Sequence, residues 1–154
     1  MASKVEDWRQ ADVDFPTVEF LNRKLGFITA QIRQDLDVRF DPRGIVFKTR
    51  DGGRNWQSFT GTSELGIRYA DFLNDREAWL VPRDLREKLI LHTEDGGESW
   101  NTIRTPIAKI LSVHFADSRT GWLVVNASDY PDIDEIFRTI DGGSTWIESK
   151  LLRD

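Results

Sequence analysis

Residues 45–59 read IVFKTRDGGRNWQSF, residues 89–103 read LILHTEDGGESWNTI, and residues 135–149 read EIFRTIDGGSTWIES. Each contains Thr-x-Asp-Gly-Gly-x-(Asn/Ser/Thr)-Trp, and the aspartates Asp51, Asp95 and Asp141 stand 44 and then 46 residues apart. A second element recurs ahead of each box: TVEFLNRKLGFITA from Thr17, IRYADFLNDREAWLV from Ile67, and ILSVHFADSRTGWLVV from Ile110. In each, an alternating apolar stretch meets a polar turn and then an aromatic-led stretch. Three such matches at near-constant spacing define an internal repeat.

Alternation with period two, rich in Val, Ile, Phe and Trp, predicts strands. Each repeat holds four short strands, A to D. In the third, A covers about residues 112–116, B 121–125 and C 135–139, and D starts at Trp146. Residues 117–120 form its A–B turn. The Asp-Gly-Gly box forms the C–D turn, since two glycines permit positive φ. Four antiparallel strands in roughly 40–45 residues is the size of one propeller blade. The blades then cover residues 17–59, 60–103 and 104–149. Residues 1–16 precede them as a segment in which Trp8 marks a candidate orphan outer strand at 5–12, and 150–154 form a tail.

The boxes resemble the Asp-box (BNR) repeat, Ser/Thr-x-Asp-x-Gly-x-Thr-Trp. The match is close at Thr93, Asp95, Gly97, Ser99 and Trp100, and at Thr139, Asp141, Gly143, Thr145 and Trp146. The first copy, Thr49, Asp51, Gly53 and Trp56, departs from it with Asn55 at the Ser/Thr position. The doubled glycine and the upstream element look closest to photosystem II assembly-factor-like propellers, with sialidases more distant. The resemblance implies an all-β chain of three four-stranded antiparallel blades. It also implies a structural box, whose Asp accepts turn N–H groups and whose Trp packs within the blade. A short carboxylate beside a Gly-Gly turn suits that role on physical grounds too. Three identical acids fit a repeated structural device better than one active site.

Composition narrows the function classes. The formal charge of −5 argues against a nucleic-acid binder, which needs a basic surface. No cysteine is present, which excludes disulfides and thiolate metal sites. No stretch approaches the roughly 18 apolar residues of a membrane span, so no insertion is expected. Residues 1–15 lack the apolar core of a signal peptide, which slightly favours a cytoplasmic location. No cofactor or metal is expected, because His92 and His114 belong to no metal-spaced pair and no nucleotide-binding glycine motif occurs.

Specificity is expected in the B–C loops, residues 31–44, 82–88 and 126–134, which differ between repeats while the boxes do not. The candidate binding residues are Arg33, Arg39, Arg43, Arg83, Arg86 and Tyr130. The plainer reading of the arginines is a solvated loop paired with Asp35, Asp37, Asp41, Asp84 and Glu87. Likewise, the acids at 129, 132, 134 and 135 read as a solvated loop before a cation site. Three blades fall short of the four to eight or so that close a propeller, so the ring is incomplete in one chain. Its uncovered ends predict a protein partner or self-association into a six-bladed ring. The expected function is a non-enzymatic protein-binding or assembly scaffold. The alternative is a glycan-binding or sialidase-like glycoside hydrolase module that uses the arginine-rich loops.

Overall fold

The structure is a computed structural model, and it describes residues 12–33, 43–59, 66–84, 86–126 and 134–150. Twelve strands form three four-stranded antiparallel sheets, with no helix among the described residues. The first sheet contains β1 (Asp12–Phe20), β2 (Gly26–Arg33), β3 (Arg43–Thr49) and β4 (Gln57–Phe59). The second contains β5 (Ile67–Phe72), β6 (Ala78–Pro82), β7 (Leu89–Thr93) and β8 (Asn101–Arg104). The third contains β9 (Ile110–Phe115), β10 (Gly121–Asn126), β11 (Asp134–Thr139) and β12 (Ile147–Ser149). Strands neighbour one another in chain order within every sheet, the up-and-down order of a propeller blade. The fold class is therefore all-β, built of propeller blades.

The chain divides into two compact units, Met1–Ile67 and Arg68–Asp154. The first unit carries the first sheet. Its leading strand reaches back to Asp12, where the alternation from Thr17 gives no sign of it. The reason lies at Pro16. The β1–β2 register shifts between Asp14 and Thr17, and proline, which lacks an N–H, belongs at such a bulge. The pairing resumes with Thr17 opposite Thr29 and runs to Phe20 opposite Gly26. The candidate orphan strand at 5–12 lies outside the described residues except for Asp12, which pairs with Arg33 in the β1–β2 ladder.

The second unit holds two blades and the core between them. Trp79, Val81 and Ile90 of the second sheet pack with Ile110, Val113, Phe115, Leu123, Val125 and Phe137 of the third. Strand alternation decides who takes part. Leu123 and Val125 face this core, and Trp122 and Val124 point to the opposite side of the sheet. The centre is a ladder of rings. Trp79, fully buried, stacks on His92 of its own blade at 4.6 Å and on Phe115 of the next at 3.8 Å, nearly parallel to both. Phe115 in turn meets Trp146 edge-on at 6.2 Å.

Two carboxylates tie the same pair of blades. Asp71 accepts from the Phe115 N–H at 2.7 Å and lies 3.1 Å from His114 Nδ1. Glu77 accepts from the Ser118 hydroxyl at 2.8 Å. Apolar stacking between blades supplies what one blade cannot bury alone. Truncating the ring at its centre should therefore cost about 3–5 kcal/mol, the range for large aromatic deletions in a core. Urea unfolding of Trp79→Ala, followed by far-ultraviolet circular dichroism, measures it. An unchanged midpoint would show that the two blades do not depend on this stack.

Candidate functional site

The three boxes have one geometry. Thr49, Thr93 and Thr139, all buried at the ends of β3, β7 and β11, each donate a hydroxyl hydrogen to the first oxygen of the box aspartate at 2.8 Å. The same hydroxyls accept from the N–H of Gly53, Gly97 and Gly143 at 2.8–2.9 Å. The N–H groups of Asn55, Ser99 and Thr145 reach Asp51, Asp95 and Asp141 at 2.9–3.0 Å. Their side chains reach the second aspartate oxygen at 2.6–2.7 Å. The Asn55 departure is thus neutral in function: an amide N–H replaces a hydroxyl as donor. Both glycines of each box have φ between 73° and 94°, a region that side chains with a Cβ rarely adopt.

The A–B turns repeat as faithfully. Asn22, Asn74 and Asp117 each accept two N–H groups, from residues two and three positions on, at 2.8–3.0 Å. One backbone bond clips the two turns of every blade together. Gly52, Gly96 and Gly142 donate to the carbonyls of Lys24, Arg76 and Arg119 at 2.7–2.9 Å. The box tryptophans pack within their blades, half-buried; Trp56 donates its indole N–H to the Gly53 carbonyl at 3.1 Å and meets Phe20 edge-on at 6.0 Å. The box acids are consequently held as turn acceptors.

The described candidate binding residues stand at the opposite ends of the strands. Arg33 and Arg43 are strand residues and not loop residues: β2 ends with Arg33, and Arg43 opens β3 opposite Ile32. The ladder runs further than the composition indicates because the pairing of backbone groups continues after the apolar alternation stops. Arg39 and Tyr130 lie outside the described residues. Arg83 is exposed, just past the end of β6. Arg86 is exposed and forked onto Asp84, with Nη2 2.6 Å from Oδ2 and Nε 3.0 Å from Oδ1. The Arg86 side chain and then its N–H hold the Asp84 carboxyl down at about 2. Its turn closes through the Glu87 N–H on the Asp84 carbonyl at 3.2 Å. This pair follows the solvated-loop reading.

Two features escape a reading of the sequence alone. Glu77, His92 and Glu94 bring three metal-competent atoms within 4.8 Å of one another. Their spacing hides this, since Glu77 stands just before β6 and His92 next to the end of β7, across the hairpin. Of these groups, Glu77 already engages His92 Nε2 at 3.2 Å and the Ser118 hydroxyl, which makes it a bridge between blades. The second feature is Lys109, whose φ of 59° is the one left-handed conformation at a non-glycine among the described residues. Its carbonyl accepts from the N–H of Asn126, at the start of the third B–C loop. The sequence gives no signal for it beyond a bulge between Val124 and Val125 that only pairing reveals.

Acid should expose the role of the boxes. Hydrogen bonds from Asn55 and from Thr145 bring Asp51 and Asp141 from the ordinary 3.8 down to about 2, and the Ser99 hydroxyl and N–H press Asp95 lower still. A depressed folded value means that the unfolded chain takes up protons first as pH falls. The stability these acids contribute is complete above about pH 5 and drains away from about pH 4 to about pH 2. Melting temperature against pH should show that loss, with a shallower slope in Asp95→Asn. An identical acid profile in the variant would mean the box carboxylate does not stabilise the turn.

No protein-family model matches the chain, and no curated protein matches its sequence. Its fold does have a counterpart among solved structures. The structure described as "YCF48 bound to D1 peptide" superposes with a TM-score of 0.61 at 22% identity, over 90% of this chain and 41% of that one. The chain thus spans less than half of the length of a β-propeller whose blade architecture it shares.

Proposed function

We propose that the chain is a non-enzymatic, protein-binding scaffold of Asp-box propeller blades, with the loops opposite the boxes choosing the partner. The observation that carries this reading is the division of labour between the two ends of each blade. At one end every box acid is engaged by the same donors in all three copies. At the other end the connections differ in length and charge, and rigid scaffolds place binding on such loops. The likeness to a propeller described as bound to a peptide points the same way, at the level of the fold. Under this reading Arg33, Arg39, Arg43, Arg83, Arg86 and Tyr130 form the binding face, and the partner is a segment of another protein. The chain also pairs with itself into a six-bladed ring.

The glycan alternative requires several guanidinium groups to converge on a carboxylate. Arg86 already has a carboxylate partner within its own loop. The test uses peptides displayed on phage, selected against the wild-type protein and remeasured by fluorescence anisotropy. The double variant Arg39→Ala/Arg83→Ala should keep its melting temperature, because an exposed charged side chain such as Arg83 contributes little to folding. It should weaken binding of a selected peptide at least tenfold. Unchanged affinity would move the site off these loops, and turnover of a fluorogenic sialoside would overturn the non-enzymatic reading.

A further inference from the structure

The junction between the second and third sheets has a template that the chain's two outer faces repeat. On the second blade, the face covered by the third presents Trp79, Val81 and Ile90, all essentially buried. The corresponding positions of the third blade are Trp122, Val124 and Ile136. They lie on the side of that sheet away from the second blade, and they are only partly buried. The register places Ile147, 67% exposed, in the same row as Trp122 and Arg138. An apolar face of the junction type is therefore presented at the outer side of the third blade.

The first blade presents the other half. In the third blade, Val113 pairs with Leu123 and Leu123 with Phe137, while Phe115 lies opposite Gly121. In the first blade, Val18 pairs with Ile28 and Ile28 with Phe47, while Phe20 lies opposite Gly26. The two faces are congruent, and their exposure differs sharply. Val113 and Phe115 are 4% and 2% exposed, against 63% and 46% for Val18 and Phe20. Phe20 is nonetheless seated as Phe115 is. Each ring lies edge-on to its own box tryptophan and over its own glycine, where a Cβ would come within 2.6–2.7 Å of the ring. What Phe115 has in addition is Trp79 of the neighbouring blade at 3.8 Å.

We infer that the outer face of the third blade binds the outer face of the first blade of a second copy of this chain, with Phe20 stacking on Trp122. This rests on the self-association reading and assigns its contact. The match of both faces to the two sides of an existing junction supports a copy of this chain as the occupant. At the internal junction the acid Asp71 comes from the leading blade and the base His114 from the following one. A twofold axis then makes two identical junctions from two chains.

Sedimentation velocity at micromolar concentration tests the contact through Trp122→Glu and, on an exposed side chain that folding does not need, Val18→Arg. Wild type should sediment at about twice 17.8 kDa and each variant at 17.8 kDa with its circular dichroism spectrum unchanged. Mixing the two variants should restore a dimer, because the first keeps a native Val18 face and the second a native Trp122 face. Variants that remain dimeric, or monomeric variants that fail to recombine, would overturn the contact while leaving self-association standing. A monomeric wild type would overturn both. The loop-binding reading is unaffected by any of these outcomes, since the displayed peptides measure it separately.

Discussion

The carboxylate of each box closes a tight turn by accepting a hydroxyl from the strand before it and an N–H and a side chain from four residues on. Every blade depends on that arrangement. The turn ends strand C and starts strand D, and its first glycine clips onto the carbonyl of the A–B turn. Two hairpins are thereby fixed at the same edge of one sheet. The glycines must hold positive φ for the amides to point inward, and the threonine must be buried for its hydroxyl to be available to both partners. The motif is a unit in which each residue type answers a geometric need.

Stiff blades make stacking between them possible. A single four-stranded sheet has two apolar faces and covers neither. In the second unit this is resolved by rings in parallel, His92 on Trp79 on Phe115, with Asp71 and Glu77 fixing the register by polar contacts at the margin. The buried carboxylate of Glu77 is tolerated because a hydroxyl and an imidazole both meet it. Its neighbours at the same repeat position, Leu25 and Thr120, show that the scaffold accepts an apolar or a neutral polar group there as well. The blade framework is repeated, and the junction chemistry is local to each pair.

The proposed function rests on which parts of the repeat are constrained. Residues that satisfy turn amides cannot drift without loss of the blade. At the far ends of the strands Arg83 and Arg86 are exposed and Lys109 holds a left-handed backbone. On the binding reading proposed above, those ends meet another polypeptide on a rigid support.

The sequence by itself determined the blades, because their information is local. Alternation gives strands, Asp-Gly-Gly gives the hairpin, and the spacing from Asp51 to Asp95 to Asp141 gives the repeat; each depends on residues a few positions apart. The role of the box acids was legible for the same reason, down to Asn55, whose substitution keeps the donor that the turn needs. Pairing beyond the apolar pattern was not legible. Pro16 masks the continuation of β1, and Arg33 and Arg43 are held in a ladder by backbone groups that carry no sequence signature. Nor did spacing reveal that His92 would lie between Trp79 and Glu77, or that Asp71 would reach the Phe115 amide 44 positions away. The first of these contacts crosses one hairpin and the second joins two blades, and only the packing of one sheet against another decides which side of each strand is covered and which is left open.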